Sequence, residues 1–254
     1  MGFFGILQPF ADAVKLFRNE LLYPISRNQL IFLIIGPATL SLAFLFWILM
    51  QIKYRYFSLK FRLIFFLIVS GLSVYPVIFA GWSSNRLYAF LGSLRARAQT
   101  ISYEISIIFF VITIIILGNN YYLIYPGRFP LLLTSLPLLV IWVITIISET
   151  NRAPFDFAEG ERELVSGFNI EYRSAGFRLL FLAEIINILF ICLFTSILFF
   201  QGSVILVFLR RTLFTILFLI TRTSYPRLRY DILILMFWLI ILPQSMYFFA
   251  LVAV

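Results

Sequence analysis

The sequence contains no histidine and a single cysteine, Cys192, in 254 residues. Protein zinc sites are built from Cys or His clusters, and iron–sulfur centres need several cysteines. Any centre of these kinds must therefore be supplied by another chain. One cysteine also rules out a disulfide framework within the chain, and Cys192, set in an apolar run, reads as packed or lipid-facing bulk. Charge is scarce too, at 12% of residues against 62% apolar. A soluble domain carries about 25% charged residues, so this chain could not cover a globular surface and lipid is its natural solvent. The opening segment MGFFGILQPFADAVKLFRNEL lacks a basic start, an uninterrupted apolar stretch and a small-residue cleavage site, so it is not a signal peptide.

What the sequence has in quantity is apolar runs. Before them, Phe3, Leu7, Phe10, Val14, Phe17 and Leu21 recur at three- and four-residue spacing. They predict an amphipathic helix over 1–28 that lies in the interface or packs on another protein segment. Spans are expected near 29–50, 63–80, 99–118, 129–148, 179–200, 203–221 and 232–254. The run 203–221 is interrupted by Arg210 and Arg211, and Pro137 suggests a kink in 129–148. The expected fold is thus an all-α membrane protein, one membrane domain of about seven transmembrane helices with an N-terminal interfacial helix.

The loops 1–28, 81–98, 149–178 and 222–231 hold 13 of the 20 Lys and Arg residues, which assigns them to the matrix or cytoplasmic side. The net charge of +9 is a topology signal of this kind, not a nucleic-acid surface. All 11 acids lie in those loops or in the first turns of spans leaving them, an asymmetry that the positive-inside rule does not require.

Six of the acids crowd into residues 149–171: Glu149, Asp156, Glu159, Glu161, Glu163 and Glu171. Like charges so close titrate as a group and can hold or release protons. Arg152, Arg162 and Arg173 neutralise only part of the cluster, and interleaved Phe155, Phe157, Leu164, Val165 and Phe168 argue against a merely solvated loop. Glu104 and Glu184 stand at membrane depth near the same interface, where an ionisable group faces the protein interior and marks function. Arg95 and Arg97 are available partners for Glu104.

The block ETNRAPFDFAEGERELVSGFNIEY at 149–172 resembles the signature of the first membrane subunit of respiratory complex I, the NADH–ubiquinone oxidoreductase chain 1 family with its bacterial counterparts. The likeness extends to ILQPFADAVKLF at 6–17, GWSSNRLYAFLGSLRARAQTISYE at 81–104 and RTSYPRLRYD at 222–231, in the family's order over essentially the whole chain. The resemblance implies a bundle of eight transmembrane helices whose matrix-side loops form the membrane end of a ubiquinone tunnel. It implies proton coupling at Glu104, Glu149, Asp156, Glu159, Glu161, Glu163, Glu171 and Glu184, with Arg95 and Arg152 as basic partners. Quinone contacts are implied for Gln8, Phe10, Arg152, Phe155, Phe157 and Tyr172.

Ubiquinone would be substrate, and FMN, NADH and iron–sulfur clusters would belong to partner subunits. Expected partners are the hydrophilic quinone-site subunits, the antiporter-like membrane subunits and lipids. The family's first helix precedes the QPFADA segment, so a separate small chain supplying that helix, the product of a split gene, is also expected. Thirty-one phenylalanines beside 12 glycines suit an AT-rich organellar genome. The expected location is therefore the mitochondrial inner membrane, with a bacterial plasma membrane as the alternative. Two rival functions are a membrane subunit of a related hydrogenase and a stand-alone proton or cation transporter. The absence of an internal repeat and the one-sided acids weigh against the transporter.

Overall fold

The computed structural model describes residues 28–50, 61–118, 136–150, 154–155, 172, 174–199, 204–226 and 228–253, with isolated positions 5, 8, 11, 14 and 15. Every regular element among them is helical. In chain order these are α1 (Gln29–Ile48), α2 (Arg62–Ser83), α3 (Leu87–Gly118), α4 (Leu136–Glu149), α5 (Ser174–Phe199), α6 (Val204–Ser224) and α7 (Tyr230–Met236). A π turn at Phe237–Ile241 then leads into α8 (Leu242–Ala253) without a break. Among the described residues, five segments are long and apolar enough to cross a membrane: α1, α2, α3, the Gly176–Phe199 part of α5, and the continuous Tyr230–Ala253 rod. The protein is an all-α membrane protein. Helix α4 is shorter but equally apolar, and α6 is a 21-residue helix around Arg210 and Arg211. The interfacial helix expected over 1–28 falls largely outside the described residues.

One difference from the sequence expectation has a clear cause. Helix α3 begins at Leu87, twelve residues before the apolar run at 99, so Arg95 and Arg97 belong to the helix and not to a loop. Its start is set by a tight reversal after α2. Asn85 adopts φ 51° there, a left-handed conformation that asparagine tolerates after a helix end. Gly81 lets the two helices meet: a Cβ on it would overlap Ser93 and lie 2.9 Å from the Ala89 carbonyl oxygen. Pro137 is the second described residue of α4, and the residues just before Leu136 lie outside the described ones. Interior prolines occur at Pro37 of α1 and Pro76 of α2.

Helix α1 packs on α2 and α5, α2 on α3, α3 on α4 and α8, and α5 on α6. The centre is aromatic. Trp142 of α4 stacks on Phe110 of α3 at 4.1 Å between centroids, and Phe194 of α5 stacks on Phe66 of α2 at 4.6 Å. Trp142 and Phe194 meet at 5.9 Å, which joins the two pairs into one spine. Such offset contacts add to ordinary packing by about 0.5–1.5 kcal/mol each. Buried hydroxyls here are satisfied within their own helices: Thr113 donates to the Phe110 carbonyl at 2.6 Å and Thr145 to that of Trp142 at 2.8 Å. Outside the core, the Arg211 guanidinium lies 5.4 Å over the Trp47 ring, a cation–π contact that shelters one of the charges of α6.

Candidate functional site

Between the aromatic spine and the end of the bundle that bears residue 149, a cavity of about 140 Å³ opens among α1, α2, α3, α4 and α5. Helical spacing accounts for what lines it. Arg97, Thr100 and Tyr103 of α3 follow one another by three and so share a face, as do Glu184 and Asn187 of α5. Helix α4 delivers Glu149 from its last position, with Thr150 beside it. Thr39 of α1 and Ser73 of α2 complete the polar lining. Thr39, Thr100 and Thr150 each donate to the carbonyl three residues back, at 2.8, 2.9 and 2.8 Å. Their oxygens remain able to accept.

Three lining residues carry buried atoms with no hydrogen-bond partner among the described residues. Arg97 is 5% exposed, and its Nε, Nη1 and Nη2 atoms are all buried without an acceptor. Glu149 Oε2 and Asn187 Oδ1 are buried without a donor. Desolvated charges and amides of this kind are costly unless they are matched, and the matching group must come from within the cavity. Glu104, half-buried, sits just outside the lining, with its Oε1 against the bare backbone of Gly71, where a Cβ would stand 3.0 Å away. It is near enough to Glu149 for their charges to interact. Arg95, two residues before Arg97 and hence about 200° around the helix, is not in the lining but interacts with Tyr230 at the start of α7.

The acidic segment is pinned at both ends. Gln99 of α3 donates through Nε2 to the Phe155 carbonyl at 2.9 Å and to the Ser148 carbonyl at 3.4 Å. The Leu228 amide donates to the Pro154 carbonyl at 3.1 Å. These bonds bring parts of the blocks 81–104, 149–172 and 222–231 together at one place. Phe155 is buried there, inside the main apolar core. At the far end, Tyr172 is buried, stacks on Phe32 of α1 at 4.0 Å and lies against Gly176, where a Cβ would meet its Cδ1 at 3.0 Å.

Of the residues singled out from sequence, Glu149 and Glu184 share the cavity, and Glu104 adjoins it. Phe155 and Tyr172 anchor the acidic segment, whereas Gln8 is exposed and does not line the cavity. Phe10, Arg152, Asp156, Phe157, Glu159, Glu161, Glu163 and Glu171 lie outside the described residues. Four participants escaped the sequence reading: Gln99, Thr100, Tyr103 and Asn187. Gln99 and Asn187 carried a usable signal, as amides inside otherwise apolar helices; Asn187 also stands three residues after Glu184.

Among known proteins, residues 1–253 match the model of the NADH dehydrogenase family. The NADH-ubiquinone oxidoreductase chain 1 of Aedes aegypti is 43% identical over 252 residues, 97% of this chain and 80% of that protein. Those of Sarcophilus harrisii and Trichosurus vulpecula are each 42% identical, over 97% and 98% of this chain and 81% and 82% of theirs.

Proposed function

The chain belongs to the NADH dehydrogenase family, and on that premise we propose that it is a core membrane subunit of a proton-pumping NADH:ubiquinone oxidoreductase. It forms the membrane end of the quinone tunnel and couples quinone reduction to proton translocation. It crosses the mitochondrial inner membrane as a single domain of seven helices, with the 149–178 loop on the matrix side, where the basic loops gather. NADH oxidation, FMN and the iron–sulfur clusters belong to partner subunits, in keeping with a chain that has no histidine and one cysteine.

The observation that carries the proposal is the shared cavity of Glu149 and Glu184, at the end of α4 from which the acidic segment continues, with Phe155 of that segment held to α3 by Gln99. Reducing a quinone to quinol takes up two electrons and two protons, so local negative charge appears wherever protons lag behind electrons. A carboxylate cluster next to that event takes up or redistributes protons in response. Glu149, at the junction of loop and bundle, receives the change; Glu184, across the cavity on α5, passes it inward, and Glu104 extends the chain along α3. Thr100 and Asn187 provide polar stations between them.

The test is the assembled complex reconstituted in liposomes, with Glu184→Gln in this chain. Loss of a positioned proton-transfer group should slow coupled turnover by roughly 10²-fold, while the complex still accumulates and its NADH-oxidising arm still reduces artificial acceptors. Normal pumping in both Glu184→Gln and Glu149→Gln would sink the coupling role. Finding the chain in native-gel bands devoid of NADH dehydrogenase activity would transfer the cavity to a transporter.

A further inference from the structure

We infer that Arg97 is the counter-charge of Glu149, joined to it across the cavity through a hydrated network, and that it is the positioning residue for proton passage between Glu149 and Glu184. The inference rests on the coupling role proposed for that cavity. Three observations carry it. Arg97 is permanently charged, 5% exposed, and has all three guanidinium nitrogens buried without a protein acceptor. The buried acceptors lacking a donor in the same lining are Glu149 Oε2 and Asn187 Oδ1. The cavity, at about 140 Å³, has room for several waters at ~30 Å³ each, and water bridges of this sort hold nearly as well as direct bonds.

The surrounding charges select this pairing over a free anion. Arg97 is the one basic side chain in the lining among the described residues. The charges and phenols that interact with it are Tyr75 from α2 and Tyr103 and Glu104 from its own helix; Glu149 from α4 and Glu184 from α5 share the cavity lining, to which α1 brings no ionisable group. A cation that already interacts with Glu104, in a cavity shared with Glu149 and Glu184, has no call for a mobile anion. It fits instead as a fixed positive charge that keeps one carboxylate ionised and orders the waters linking it to the next. The planar fork of five N–H groups suits that task, because it can serve several water oxygens at once.

The experiment compares Arg97→Met, Glu149→Gln, the double variant and Arg97→Lys in the full complex. Readouts are the amount of complex assembled, proton-pumping rate in liposomes, and the deuterium-sensitive infrared carboxyl band identified by its loss in Glu149→Gln. Arg97→Met should lower pumping by about tenfold, the factor that corresponds to one pKa unit of lost charge pairing. It should also strengthen the Glu149 carboxyl band, and Arg97→Lys should restore both readouts at least in part. Because each single variant strands a buried charge, the double should assemble better than either. If neither single accumulates, recovery in the double supports the pairing and its failure to accumulate overturns it. Arg97→Met with wild-type pumping and an unchanged band, or a double that merely adds the single losses, also overturns it. Should Arg97→Met be silent while Glu149→Gln and Glu184→Gln lose pumping, the Arg97 inference falls and the coupling role stands. Should both Glu variants pump normally, the coupling role itself falls.

Discussion

The two ends of the helix bundle differ in how they treat buried polar side chains. Around the aromatic spine, hydroxyls such as Thr113 and Thr145 turn back on their own helices, and the Trp142 indole N–H is the exception, buried without a partner among the described residues. Around the cavity, Arg97, Glu149 and Asn187 hold buried atoms that nothing in their own helices satisfies. Lipid penalises unmatched polar groups severely, so the first arrangement is what stability alone would select. The second persists because groups left unmatched by their own helices must be matched across a gap, and such a match can change state. Rigidity and responsiveness are thereby assigned to different depths of the same helices: α3 contributes Phe110 to the spine and Arg97 to the cavity.

That contrast can be broken most violently at the spine. Trp142→Ala removes the fully buried ring shared by Phe110 and Phe194, a truncation worth about 3–5 kcal/mol in a packed core. The expected result is a sharp fall in assembled complex and in its thermal-inactivation temperature, with quinone reduction and pumping declining in step. A selective loss of pumping would show that the spine is not merely structural. A smaller and more selective effect is expected from Gln99→Leu, which leaves the Ser148 and Phe155 carbonyls without their donor at about 1–3 kcal/mol. Assembly should survive while KM for quinone rises several-fold, since the start of the acidic segment loses its clamp. An unchanged KM with reduced assembly would assign Gln99 to the stability of the spine. The least effect is expected from Thr113→Val, whose hydroxyl serves only its own helix. Even side-chain bonds between membrane helices average only about 0.6 kcal/mol, so with this intrahelical bond removed pumping, KM and thermal stability should all stay close to wild type. A pumping defect there would erase the distinction between the two ends.

Much of this was legible in the residues alone. Glu104 and Glu184 stood out because a charge in an apolar run is conspicuous, and a charge at that depth has few innocent explanations. The extent of α3 was not legible: Arg95 and Arg97 look like loop residues, and only the reversal at Asn85 and Gly81 shows that the helix already runs through them. Nor could sequence tell the two arginines apart. A two-residue step turns a helix by about 200°, so one guanidinium enters the cavity and the other does not, and which one depends on how α2 and α5 pack. Gln99 is conspicuous as an amide, but what it binds was not legible, because its acceptors, the carbonyls of residues 148 and 155, lie 49 and 56 positions away. No local pattern encodes such a bond.

The π turn at Phe237–Ile241 has a consequence for how the last helix meets its neighbour. Leu233, Phe237, Ile241 and Ser245 are all buried, one every four residues. On an ideal α-helix such a row drifts by roughly 40° per step and would spiral away from α3 before reaching the far side of the membrane. Widening one turn slows the rotation where the row crosses it, and it does so just ahead of Pro243, which could not have donated a regular helical bond anyway. A coiled coil keeps such a row on target by winding two helices around each other. Here a single relaxed turn acts as a vernier, and the segments on both sides of it pack on α3.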